Sequence, residues 1–129
     1  MQNDTLADAL SLIKNAERAG KMECEVAPAS KVLGAVLTVM KDMGYIEEVE
    51  AQQDTRGGVY RVRLNGQIND CGAIKPRFSI RKADFKKWES RYLPAEDFGA
   101  LILTTTAGVI SHANAKEKGT GGKLLAYVY

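Results

Sequence analysis

The sequence predicts an α/β (α+β) protein of two small domains: an α-β-α-β-β unit over residues 1–66 and a mixed β unit with short helices over residues 67–129. Three observations carry this. Apolar residues recur at helical spacing in two early segments, period-two runs bounded by Gly, Pro and Asn lie between and after them, and charge divides between the halves. Residues 1–70 hold 8 basic and 11 acidic side chains, a net of −3, whereas residues 71–129 hold 10 and 5, a net of +5. A polyanion would meet the second half first.

The elements follow in order. Asn3, Asp4 and Thr5 offer helix caps, and Leu6, Leu10 and Ile13 recur at helical spacing until Gly20 supplies a stop. Met22, Cys24 and Val26 then alternate with Glu23 and Glu25, the pattern of a half-buried strand, which Pro28 closes. Ser30 caps a second helix whose face is Val32, Leu33, Val36, Leu37, Met40 and Met43, ended by Gly44. Tyr45 to Ala51 and Val59 to Leu64 read as strands joined through Asp54 and Gly57-Gly58. Asn65-Gly66 signals a tight turn into a further strand from Gln67 to Ala73.

In the second half, Phe85, Trp88 and Tyr92 suggest a short helix from Ala83 to Tyr92, stopped by Pro94. A strand from Ala100 to Thr106 follows. Ser111 caps a small helix that runs to Lys118 and stops at Gly119, and after a Gly121-Gly122 loop Leu124 to Tyr129 has strand composition. No internal repeat and no low-complexity segment interrupts the chain.

With 129 residues, 45% of them hydrophobic, the chain holds one core or two small ones, without room for a separate cofactor domain. Cys24 and Cys71 stand alone, without a second His or a paired Cys, so reduced thiols are expected rather than a disulfide framework or a zinc site. A polar, acidic amino terminus and the lack of an apolar run near the about 18 residues of a membrane span predict a cytoplasmic protein. His112 is the single histidine and forms no Ser-His-acid or Cys-His arrangement, so neither enzyme activity nor a cofactor is expected.

Between Lys75 and Arg91 lie Lys75, Arg77, Arg81, Lys82, Lys86, Lys87 and Arg91, interleaved with Phe78, Phe85 and Trp88. Clustered cations suit phosphate, because each contact releases counterions and the gain accumulates; equally, the segment reads as a solvated helix face with Phe85 and Trp88 in the core. Thr104-Thr105-Thr106-Ala107-Gly108 sets hydroxyls at the end of an apolar strand, where they could read distorted or single-stranded RNA, although Thr is also an ordinary strand residue. Gly119-Thr120-Gly121-Gly122-Lys123 invites comparison with a phosphate-binding nucleotide loop. Glu117 and Leu124 stand where that loop requires Gly and Ser or Thr, so the comparison fails.

Several ordered motifs together resemble one family. Ile13-Lys14-Asn15-Ala16, Gly20-Lys21, Pro28-Ala29-Ser30-Lys31 and Gly44-Tyr45-Ile46, followed by Lys75-Pro76-Arg77, Arg91-Tyr92-Leu93-Pro94, Thr104 to Gly108 and Gly119 to Val128, are similar to the eighth protein of the small ribosomal subunit in its archaeal form. The resemblance spans nearly the whole chain. It implies a cytoplasmic, non-enzymatic constituent of the small subunit that binds the central domain of small-subunit (16S) rRNA early in assembly, beside neighbouring ribosomal proteins and without a membrane or a cofactor.

The resemblance places the main RNA contact at Thr104, Thr105, Thr106 and Gly108, supported by Gly121, Gly122 and Lys123. Ser30 and Lys31 contribute from the first domain, and Lys75, Arg77, Arg91 and Tyr92 from the basic segment. Family members also bind their own messenger RNA and repress translation, which the sequence leaves open here. Bacterial relatives typically carry Ser-Thr-Ser-Lys-Gly at the turn where this chain has Ala107, and many carry Glu where it has Lys123. A Lys cannot accept hydrogen bonds from a base edge and more naturally meets phosphate. The alternative reading is a protein-interaction module, docking through the segment around Trp88, with only non-specific attraction for RNA.

Overall fold

A computed structural model describes residues 5–26, 30–52, 58–75, 77–95 and 98–129. The expected caps Asn3 and Asp4, the strand-closing Pro28, the loop residues Asp54 and Gly57, and Pro76 lie outside them. The elements are α1 (Thr5–Arg18), β1 (Glu23–Val26), α2 (Lys31–Asp42), β2 (Ile46–Gln52), β3 (Val59–Leu64), β4 (Cys71–Ala73), β5 (Ser79–Ile80), α3 (Phe85–Tyr92), β6 (Ala100–Thr105), β7 (Gly108–Ser111), α4 (His112–Lys118) and β8 (Gly122–Val128). A 3-10 turn at Lys82–Asp84 leads into α3. No helix among the described residues is long and apolar enough to cross a membrane.

Local chemistry sets the helix ends. At the start of α2, Ser30 Oγ accepts the Leu33 N–H at 3.1 Å, and Ser111 does the same for Asn114 at the start of α4, at 3.2 Å. Three helices stop by one device. Gly20, Gly44 and Gly119 take φ of 75°, 85° and 68°. The N–H after each glycine then reaches back to the last turn: Lys21 to Ala16, Tyr45 to Met40 and Thr120 to Ala115. Only glycine enters this left-handed region without steric cost, so these positions end helices irrespective of packing.

The strands form two antiparallel sheets. The first has the order β1-β3-β2; the second runs β4-β8-β6-β7, with β5 also pairing with β8. The sequence expectation fails at Asn65-Gly66, which does not turn β3 into a neighbouring strand. Asn65 Nδ2 instead bonds the Gly44 carbonyl at 3.3 Å, and the strand expected from Gln67 shrinks to Cys71–Ala73, paired with Val128 to Ala126 in the second sheet. Asn69 and Asp70 donate their N–H groups to the Tyr129 carbonyl, and Lys14 pairs with Asp70 at 2.7 Å, so this segment is tied to both α1 and the end of β8.

Two apolar clusters result. The first joins Leu10, Ile13, Leu37 and Met40 from the early helices with Ile102, Leu125 and Val128 of the second sheet. The second packs Phe85 and Trp88 of α3 and Ala115 of α4 on Leu101, Leu103 and Leu124. Alternation along β6 therefore divides the sheet, with Ala100 and Ile102 facing the first cluster and Leu101 and Leu103 the second. Along α2, Leu33, Val36, Leu37 and Met40 are buried as expected, but Val32 and Met43 fall off the buried stripe and remain 37% and 39% exposed.

Candidate nucleic-acid interface

The threonines of the second half end β6 and open a hairpin to β7. Thr104 pairs with Val109, and Thr105 with Gly108. Thr105 closes the turn itself: its Oγ1 donates to the Gly108 carbonyl at 2.9 Å and accepts the Ala107 N–H at 3.0 Å. Gly108, at φ 107°, is the turn's required glycine. Thr104 and Thr106 differ. Their hydroxyls bond to no other described side chain or backbone group, Thr104 is half-buried on the sheet and Thr106 is exposed at the tip.

Gly121 and Gly122 are not a free loop, because Gly122 begins β8. It pairs there with Ile80, and the following residue, Lys123, pairs with both Ser79 and Thr104. A side chain on Gly122 would collide with the Thr104 carbonyl, and one on Gly121 with the Ile80 carbonyl. The glycines are thus needed for β5, β6 and β8 to converge behind the threonine turn. They fix the positions of Thr104, Thr105 and Lys123.

Directly paired residues project from the same face, so Ser79, Lys123, Thr104 and Val109 form a row across β5, β8, β6 and β7. Val109 packs against the cluster that contains α2, while Lys123 and Ser79 at the far end are exposed. The row thus runs from covered apolar surface to an exposed hydroxyl and ammonium. Arg77, exposed two residues before Ser79, and Lys75 extend the same sheet edge.

Ser30 and Lys31 stand at the start of α2, which packs on β7. The Ser30 hydroxyl is used as the cap described above, and its carbonyl accepts both Gly34 N–H and Tyr60 Oη–H at 2.9 Å. Lys31 is exposed and lacks such constraints. Arg91 and Tyr92, by contrast, lie on α3, across the sheet from Thr104. The Arg91 guanidinium covers the Trp88 ring at 5.3 Å and Phe78 at 5.9 Å, and Tyr92 stacks between Trp88 and Tyr127. Trp88 itself is only 9% exposed, so it offers no protruding aromatic anchor for a partner.

One buried polar link was missed from sequence. His112 Nδ1 accepts the Leu101 N–H at 3.0 Å, which leaves the proton on Nε2, facing Glu89 Oε1 at 3.4 Å; Lys116 Nζ meets Glu89 Oε2 at 2.7 Å. β6, α3 and α4 are joined through these side chains. Burial, opposed by Glu89, holds the His112 pKa below its usual 6.5. The expected start of a helix at His112 was correct, whereas the distant Glu89 carried no local signal. Both cysteines are free, and burial pushes the Cys71 thiol up to about 12. Among the described residues no group of side chains could hold a metal ion.

A family model described as "Ribosomal protein S8" matches residues 4–129. The chain is 55% identical over its full length, and theirs, to the small ribosomal subunit proteins uS8 of Thermoplasma volcanium and Thermoplasma acidophilum. It is 56% identical to that of Methanococcoides burtonii over 126 residues, covering 98% of this chain and 97% of the relative.

Proposed function

The chain belongs to the ribosomal protein S8 family, and from that premise we propose that it is a structural constituent of the small ribosomal subunit, not an enzyme, and works in the cytoplasm. Its primary task in this reading is to bind the central domain of 16S rRNA during assembly, beside neighbouring ribosomal proteins. The observation that carries the reading is the row of Ser79, Lys123 and Thr104 next to the threonine turn. It sets an ammonium for phosphate beside hydroxyls that donate and accept, the combination that recognises an irregular RNA helix through backbone, 2′-OH and base-edge contacts.

Labour divides between residue types. Lys123, Arg77, Lys75 and Lys31 supply attraction that is insensitive to sequence, while Thr104, Thr106 and the backbone around Gly108 select shape. Thr105, Gly121 and Gly122 hold that surface in place. The cations of α3, including Arg91, act from across the sheet as long-range attraction or as contacts to a second RNA segment. The same surface would serve an RNA of matching shape in the protein's own messenger, which is the route by which it would repress translation.

Filter binding at rising salt tests the proposal. A central-domain fragment should remain bound at about 0.2 M salt, where purely electrostatic binding has fallen steeply. Equal retention of a scrambled fragment would instead favour a protein-interaction module with only general affinity for RNA.

A further inference from the structure

Among the described residues, no further strand pairs with one edge of the first sheet. β1 is the terminal strand of the order β1-β3-β2. The bond from Leu64 N–H to the Met22 carbonyl, at 2.8 Å, sets the phase of the β1–β3 ladder. Met22, Cys24 and Val26 face β3 with their backbone groups, so Glu23 and Glu25 direct theirs outward. Beside this edge a groove of about 470 Å³ separates β1 from α1, lined by Leu12, Ala16, Ala19 and Cys24 together with Asn15, Lys21, Glu23 and Glu25. Leu12 is 44% exposed.

The charge on this side is acidic in balance, with Lys21 in the groove and Lys41 on Glu48 at 2.8 Å as its cations besides the arginines. On the outer face of the sheet Glu23, Glu25, Glu48 and Glu50 surround Arg61 and Arg63, with Arg61 bonded to Glu25 at 3.2 Å. Such a face repels phosphate. It also opposes a second copy of itself, because pairing β1 with β1 would set glutamates against glutamates.

We propose that the β1 edge accepts an extended segment of a partner protein as an added strand, one in which apolar residues alternate with lysine or arginine. The outward N–H and C=O groups of Glu23 and Glu25 supply the ladder. Alternate side chains of the added strand then fall on opposite faces: apolar ones toward Leu12, Ala16 and Cys24, basic ones beside the Glu23 and Glu25 carboxylates. A guard against aggregation would need the charges alone. The apolar groove next to them is what an occupant explains.

Cys24 provides the test, since it lines the groove and Cys71, buried with its thiol pushed up to about 12, stays silent toward alkylation. The probes are short peptides of alternating valine and lysine, of alternating valine and glutamate, and of valine and lysine in separate blocks. At about ten times its dissociation constant, the alternating basic peptide should slow Cys24 alkylation about tenfold. Glu25→Pro removes an outward N–H without breaking the β1–β3 ladder and should abolish protection; Glu25→Lys should do so by charge. Thermal melting checks that each variant folds, and should Glu25→Pro unfold, Glu25→Lys and the peptide series decide. Absence of protection, equal protection by the acidic or block peptide, or protection retained in both variants would overturn the proposal. So would protection arising from self-association without peptide.

Discussion

Thr104 and Lys123 face one another directly across the β6–β8 ladder, with Ser79 on the far side of Lys123. A hydroxyl and an ammonium separated by 19 positions in the chain thus leave one face of one sheet side by side. Under the proposed function, this juxtaposition would separate two quantities that binding experiments measure independently, attraction and selectivity.

Lys123→Ala should weaken cognate and scrambled RNA alike and lower the slope of log affinity against log salt by about 1, as for the loss of one phosphate contact. Arg77→Ala should behave in the same way. Thr104→Val, nearly isosteric, should leave the salt slope unchanged and reduce only the preference for the cognate fragment. Filter-binding titrations of each variant at several salt concentrations make the comparison.

Thr105 should act through the turn. Thr105→Val removes both hydrogen bonds of its hydroxyl and should cost about 1–2 kcal/mol in urea unfolding, with a selective loss of cognate RNA. Thr105→Ser, which keeps the hydroxyl, should recover most of both. Equal losses of cognate and scrambled RNA for Thr105→Val would count against a shape-reading turn.

Gly122→Ala should cost about 1–3 kcal/mol, because the added methyl meets the Thr104 carbonyl in a ladder that must shift to admit it. Gly121→Ala should resemble it through the Ile80 carbonyl. Gly66→Ala meets no neighbouring atom and should show only the strain of its φ of 78°. Denaturant unfolding ranks the three, and an unperturbed Gly122→Ala protein would show that the glycine is not needed for strand approach.

Stability should fall as the pH drops below about 6.5, the usual histidine value. The His112 pKa is lowered in the folded state, so the unfolded chain binds the additional proton. The stabilisation is therefore fully present above the unfolded value and is lost as the pH falls through it toward the folded one. His112→Gln should flatten this part of the profile, measured by thermal melting from pH 8 to about pH 5.

What was legible in the sequence was mostly local. Ser30, Ser111, Gly20, Gly44 and Gly119 mark helix ends through bonds to residues within one turn, and each was found where the pattern put it. Pairing between distant residues was not legible. β5 and β7 are too short for a periodic signal, and their existence depends on β8 and β6. Asn65-Gly66 carried a hairpin signal, but Cys71–Ala73 pairs with the end of β8 instead. The threonine turn was recognised, yet the internal use of the Thr105 hydroxyl and the strand-packing role of Gly122 required the tertiary structure. Net charge by halves pointed to the second half, though it could not show that Arg91 and Thr104 occupy opposite faces of one sheet.

Ultraviolet crosslinking of the protein to total RNA, with sequencing of the attached RNA and mass spectrometry of the attached peptides, tests the central claim most directly. The account predicts that one region of the small-subunit rRNA, in its central domain, dominates the sequences, and that the modified peptides contain Thr104 to Gly108 and Lys123. RNA spread without preference over the whole population, or crosslinks confined to Lys86, Lys87 and Arg91 on α3, would contradict it.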